Sequence, residues 1–211
     1  VIIPCSVSSQ KSFNDYRPAI AEEPQISSVL NKMKYKAKAQ TGSDSADKSS
    51  KSDMVRLDEV IEDIVIELRY ATSNNVVGKP VYESNAAYLR RGTAEKLKKA
   101  NQLVMKQDYR IKVWDSYRAQ KYQQFLYDNA PVKSVFMNPA KGYSNHTRGA
   151  AVDCTLVTLD GKEVDMPSDF DDGTALAHRD YSKCTEEQKR NALILENAMK
   201  SAGFLPLQSE W

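Results

Sequence analysis

The sequence predicts an α+β fold, an antiparallel sheet with flanking helices, on three observations. At 211 residues and 41% hydrophobic, the chain can bury one sizeable core but leaves little for two full domains. Segments with apolar residues every three or four positions stand apart from segments that alternate residue by residue, so helices and half-buried strands are both present. The strands do not recur between helices as a parallel βαβ series requires, and no internal repeat appears.

Residues 1–53 read as a flexible arm. The stretch "TGSDSADKSSKSD" (41–53) is rich in Ser, Asp and Lys with no apolar period, so it cannot offset its own ordering entropy. Before it, "ISSVLNKMKYKAKA" is suited to a weak helix at most. The opening "VIIPC" is similar to an apolar signal segment running into a cysteine, which makes Cys5 a candidate lipid anchor and the bacterial periplasm or envelope the expected location. Against this, Pro4 stands where such signals prefer a small residue, and a chance apolar start with a cytoplasmic location is the alternative. The first residue is Val rather than Met, which is read as processing or cropping.

The folded domain is expected over 54–211. In "IVIELRY", Ile64, Ile66, Leu68 and Tyr70 share one face of a strand. Over 93–107, Leu97, Ala100, Leu103 and Val104 recur at helical spacing. "RIKVWD" reads as a strand, followed by a helix over 118–129 that ends before Pro131. "AVDCTLVTLDGKEVDM" reads as a hairpin around Asp160-Gly161, a pair suited to the positive φ angles of a type I′ turn. The last helix opens on Thr185 and Gln188 as a capping box and closes at Gly203, and "FLPLQSEW" is expected to add a final strand.

Composition excludes several classes of function. Thirty Lys and Arg against 28 Asp and Glu, well mixed, leave a net charge of +2 and no basic footprint for nucleic acid. No apolar run is long enough to span a bilayer. Three cysteines, Cys5, Cys154 and Cys184, are too few and scattered for a disulfide framework or a zinc knuckle, and Cys154 reads as a small core residue.

The chemistry gathers in "SNHTRGAAVD" (144–153), which holds one of only two histidines. It admits three readings: a metal site, a polar turn, or part of a nucleophile system. Asp153 falls inside a strand, where Asp is poorly suited and costly to bury unpaired. A metal would satisfy both it and His146, the small residues Gly149, Ala150 and Ala151 leave room for close approach, and zinc accepts mixed N/O ligands.

This stretch resembles the Ser-x-His-x-x-Gly-x-Ala-x-Asp motif of the zinc D-alanyl-D-alanine peptidases, the VanX-type dipeptidases and related carboxypeptidases whose fold is shared with the Hedgehog signalling domain. "RYATSNNVVGKPVY", "VWDSYRAQ", "MPSDFDD" and "AGFLPLQSEW" are similar to further segments of the dipeptidase branch, so the resemblance covers about 54–211. It implies that His146 and Asp153 are zinc ligands and that Glu210 is the general base. It also implies that Arg118 stabilises the oxyanion, that Asp171 receives the free ammonium of the dipeptide, and that Tyr70 and Ser144 line the substrate pocket. The implied activity is hydrolysis of D-Ala-D-Ala to two D-alanines, in wall turnover or glycopeptide resistance. The alternatives are a D,D- or L,D-carboxypeptidase and a non-catalytic wall-binding domain. The family's third zinc ligand is a His two positions beyond Trp211, so the expectation is a cropped chain that holds zinc weakly by itself. Ala119 stands where the dipeptidases have Pro, and His178 is expected to be structural.

Each assignment has a plainer reading. Arg118 at a strand-to-helix turn suits a solvated helix start, Asp171 and Asp172 suit turn caps beside Gly173, and Tyr70 suits the last core residue of its strand.

Overall fold

The computed structural model describes residues 50–211. Of the arm expected over 1–53, residues 1–49, which include its weak helix and the candidate anchor Cys5, lie outside the described residues. Lys51, Ser52 and Asp53, assigned to the arm by composition, already bond to the domain. The amides of Gly92 and Arg91 donate to the carbonyls of Lys51 (3.0 Å) and Asp53 (2.7 Å), and Arg90 Nη1 donates to that of Ser52 (2.7 Å).

The elements run β1 (Met54–Arg56), α1 (Leu57–Val60), β2 (Val65–Ile66), β3 (Tyr88–Arg90), α2 (Arg91–Met105), β4 (Tyr109–Asp115), α3 (Gln120–Asn129), β5 (Asp153–Thr158) and α4 (Glu186–Ala202). The α+β class is as expected. One sheet has the order β2-β4-β5, and β1 and β3 form a separate two-stranded ribbon. Each ribbon strand has three residues, too few to show an alternating pattern.

The core follows from the periods in the sequence. In α2, Ala94, Leu97, Ala100, Asn101 and Val104 are buried, and in α4 Asn191, Ala192, Leu195, Ala198 and Ala202, so each helix turns one stripe inward. The two stripes meet beside Ile111 and Val113 of β4 and Leu156 of β5. The capping box of α4 forms as read: the Gln188 amide donates to Thr185 Oγ1 at 3.1 Å, the Thr185 amide donates to Gln188 Oε1 at 3.0 Å, and Gly203 closes the helix at φ +93°.

Three expectations are corrected. Only Val65 and Ile66 of "IVIELRY" form a strand, and it lies parallel to β4. The side chain of Asn85 takes the place of the ladder there: its Oδ1 accepts from the Leu68 amide at 2.7 Å, and its Nδ2 donates to the Ile66 carbonyl at 3.0 Å. The chain then turns through Arg69–Ala71 and drops Tyr70 into a second apolar cluster with Leu126, Ala130 and Phe136. The predicted hairpin keeps its first strand, but its return is a single bridge between Val157 and Glu163. Gly161 has φ +86° while Asp160 has no positive φ, so the turn is not type I′. "FLPLQSEW" forms no strand: Pro206 lacks an amide donor, and Leu205 is 94% exposed.

Between β4 and β5 the register pairs Val113 with Cys154 and then Asp115 with Asp153, leaving Trp114 as an extra residue. This bulge brings two carboxylates opposite each other at the end of the sheet. The site is assembled there.

Candidate active site

His146 sits in the turn between α3 and β5, and its loop is held at both ends. Ser144 Oγ accepts from the Thr147 amide at 3.1 Å and bonds Gln123 Oε1 at 3.2 Å. The Gly149 carbonyl accepts from the Arg90 amide at 3.0 Å. Gly149 has φ +66°, and a Cβ there would lie 3.0 Å from Met54 Sδ and 3.2 Å from the Arg90 nitrogen. Glycine is needed here so that β3 can approach the loop, not to leave room for a metal.

The imidazole is oriented by its backbone partner. Nδ1 lies 2.9 Å from the Ser116 carbonyl, which can only accept, so Nδ1 carries a proton in either charge state and Nε2 is the nitrogen turned to the site. Nε2 lies 3.4 Å from Asp153 Oδ1. Burial opposes a charge on the ring, but Asp153 outweighs it and the pKa is pushed up to about 9 in the metal-free protein. Asp153 is the reciprocal case: burial acts against its charge, and His146 holds its carboxyl below the ordinary range.

Asp115, His146 and Asp153 each offer a ligand atom within 4.8 Å of the others, so this triad could hold a metal ion. Asp115, however, has its acceptor positions filled. Oδ1 accepts from Tyr82 Oη (2.7 Å) and the Ser116 amide (2.8 Å), and Oδ2 accepts from Arg118 Nε (3.0 Å) and Nη2 (2.5 Å). It is completely buried and acts on the site by holding Arg118 and Tyr82. His146 Nε2 and Asp153 Oδ1 face each other, and once Nε2 gives up its proton they are a donor set that suits zinc.

Arg118 is buried beneath two rings, its guanidinium carbon 5.0 Å from the Tyr70 centroid and 5.3 Å from that of Phe136. Burial opposes its charge and Asp115 more than compensates, so it stays cationic. Nη1 donates to Gln123 Oε1 at 3.1 Å. Three of its five N–H donors are thus occupied and two remain. A solvated helix-start arginine is not what the structure contains.

Asp171 stands in the left-handed region, φ +56°, and accepts a hydrogen bond from the Tyr70 hydroxyl. Burial pushes its carboxyl up to about 7, against the pull of that hydrogen bond and with the push of the Asp153 charge. Asp172, by contrast, accepts from the Thr174 amide at 2.7 Å and caps a turn. Tyr70 is fully buried against Tyr82, Phe136 and Phe170. Glu210 is exposed to solvent, yet it lies near enough to feel Asp153, His146, Arg179 and Arg118, and partial desolvation of its carboxyl followed by the Asp153 charge raises its pKa. Trp211 donates to Ser168 Oγ at 2.7 Å and packs edge-on to Trp114.

The fold therefore brings His146, Asp153, Arg118, Asp171, Tyr70 and Glu210 to one end of the sheet, while the Ser144 hydroxyl is committed to its own loop and to Gln123. His178 is exposed at the end of the single turn Ala175–Ala177 and does not join the ligand triad. The thiol of Cys154 is driven up to about 12, first by burial and then by Asp153, which makes it inert. Asp115, Gln123 and Tyr82 were not singled out from the sequence. The usable signal for Asp115 was an Asp closing an apolar strand three residues before Arg118.

Comparison with known proteins places the described domain in a family. The family model described as D-ala-D-ala dipeptidase matches residues 50–211. The D-alanyl-D-alanine dipeptidase of Escherichia coli (strain K12) is 30% identical over 163 residues, covering 77% of this chain and 84% of that protein. The D-alanyl-D-alanine dipeptidase of Enterococcus faecium is 34% identical over 175 residues, 74% of this chain and 87% of that protein. That of Enterococcus faecalis (strain ATCC 700802 / V583) is 30% identical over 175 residues with the same coverage. With three quarters of its length matched by the family model and by these relatives, the chain belongs to the D-ala-D-ala dipeptidase family.

Proposed function

We infer that this protein hydrolyses the dipeptide D-Ala-D-Ala to two D-alanines with one zinc ion held by His146 and Asp153. The observation that carries the reading is the pairing of His146 Nε2 with Asp153 Oδ1 at 3.4 Å, in a site that also holds Arg118, Asp171 and Glu210. Zinc in such a site supplies a water acidic enough to ionise near neutral pH and polarises the scissile carbonyl.

The remaining work falls to side chains. Glu210, with its carboxyl raised above the usual range, is suited to accept a proton from the attacking water and to deliver it to the leaving amine. Arg118 offers its two unoccupied N–H donors, in a buried setting, to the negative charge that develops on the carbonyl oxygen. Asp171 is the acceptor for the free ammonium of the dipeptide, and the Tyr70 hydroxyl fixes its carboxyl. A carboxylate in that place favours a short substrate with a free N-terminus over a longer wall peptide, which is why the dipeptidase is preferred to a carboxypeptidase.

The test is D-alanine release by the full-length protein from D-Ala-D-Ala, N-acetyl-D-Ala-D-Ala and a stem pentapeptide, beside zinc content by elemental analysis. The expected result is turnover of the free dipeptide alone with about one zinc per chain. Equal turnover of free and blocked substrates would overturn the assignment in favour of a carboxypeptidase.

A further inference from the structure

The residue read as the general base stands in a segment with no regular structure. After Gly203 the chain forms neither helix nor strand, and Leu205 and Leu207 are 94% and 59% exposed. Burial of apolar surface fixes only its ends, where Phe204 and Trp211 pack against the core. Between them Arg179 makes two bonds to the backbone: its Nε donates to the Leu207 carbonyl at 2.6 Å, and its own amide donates to the Gln208 carbonyl at 3.1 Å. Arg179 is itself aimed from behind, since Nη1 donates to Glu196 Oε2 at 2.8 Å, and the Tyr181 hydroxyl donates to the same oxygen at 2.8 Å. Both partners of this pair keep only 14% of their side chains exposed. The rigid helix α4 thus reaches through Glu196 and Arg179 to the backbone two and three residues before Glu210.

We propose that Arg179, oriented by Glu196, is a positioning residue that pins the 207–208 backbone and so sets where the Glu210 carboxylate stands over the substrate. The proposal rests on the reading of Glu210 as general base. A guanidinium is needed because one planar group must serve a carbonyl and a carboxylate in fixed directions, which an ammonium on a flexible stem does not reproduce. The pin acts on placement and not on ligand supply, so its loss should leave zinc content and substrate affinity in place.

The experiment compares the full-length protein with Arg179→Met, Arg179→Lys and Glu196→Gln, reading kcat, KM, zinc content and amide hydrogen exchange over 204–211. The expected result is a kcat loss of about tenfold to a hundredfold in Arg179→Met, as misplacement of a reacting group by about an ångström produces. KM should stay within about twofold and zinc content should not change, while exchange over 204–211 speeds up. Arg179→Lys should recover little, and Glu196→Gln should show a smaller loss of the same kind, which keeps the proposal testable if Arg179→Met folds poorly. Unchanged exchange over 204–211 in these variants would overturn the pin whatever the activity. Unchanged kcat, or a joint fall of kcat, zinc content and melting temperature, would overturn the positioning role. If the parent protein does not split the dipeptide, the functional reading fails, and exchange still decides the pin.

Discussion

Asp115 Oδ2 receives both Nε and Nη2 of Arg118, at 3.0 and 2.5 Å, three residues apart in the chain and fully enclosed. The pair is planar on both sides and made where water cannot compete. Removing one partner would strand the other charge in the interior. Asp115→Asn is expected to destabilise the protein by about 3–5 kcal/mol and to remove activity, because Arg118 would lose its aim. Urea denaturation followed alongside D-alanine release checks this, and a stability change under about 1 kcal/mol would contradict it.

Metal binding should depend on pH in a direction set by His146. Its Nε2 must lose a proton before it can ligate, and in the metal-free protein that proton is held up to about pH 9. Zinc affinity is therefore expected to rise by roughly a decade per pH unit from neutrality towards pH 9 and then level off. His146→Ala should abolish both the affinity and its pH dependence. Equilibrium dialysis at a series of pH values reads this directly.

Asp171 predicts a stability term of the opposite character from an ordinary ion-paired carboxylate. Its folded pKa, about 7, lies above the unfolded value, so the folded state holds its proton more tightly. The stability this contributes is complete below the ordinary carboxylate range and is lost as pH rises through about 7. Asp171→Asn should accordingly gain melting temperature relative to the parent as pH goes from about 4 to about 8. The same substitution should raise KM for the free dipeptide. Parallel pH dependences of the two melting temperatures would refute the first point.

Thr185→Ala tests the fold away from the chemistry. The hydroxyl caps α4 through the Gln188 amide at 3.1 Å, and its loss should cost about 1 kcal/mol. The measurement is a denaturant midpoint with kcat recorded beside it, and kcat is expected to stay unchanged.

The parts of this molecule legible in the sequence are those whose pattern is local. The apolar stripe of α2 and the capping box at Thr185 show because the residues that matter lie within one or two helical turns of each other. His146 and Asp153 show because seven positions span one turn and one strand entrance. The failures come from interactions between distant segments. "IVIELRY" alternates well, yet Asn85, some twenty residues later, takes the amide and carbonyl that a strand would have used. The second half of the hairpin had the right alternation but kept one bridge. Asp115 was passed over because its importance lies in Tyr82, Arg118 and a register offset that no stretch of ten residues displays.

That offset at Trp114 also has a bearing on redesign. The ladder skips one rung there, so Asp115 meets Asp153 only because β4 carries one residue more than β5 opposite it. Deleting Trp114 would even the count and keep Asp115 paired with Asp153, but it would remove the bulge that bends β4 at that point. It would also remove the indole that Trp211 and Phe170 lean on. Grafting this stretch of β4 onto another scaffold would therefore require copying a miscount between two strands, since on an evenly paired ladder Trp114 would stand opposite Asp153 and Asp115 would fall one position beyond it.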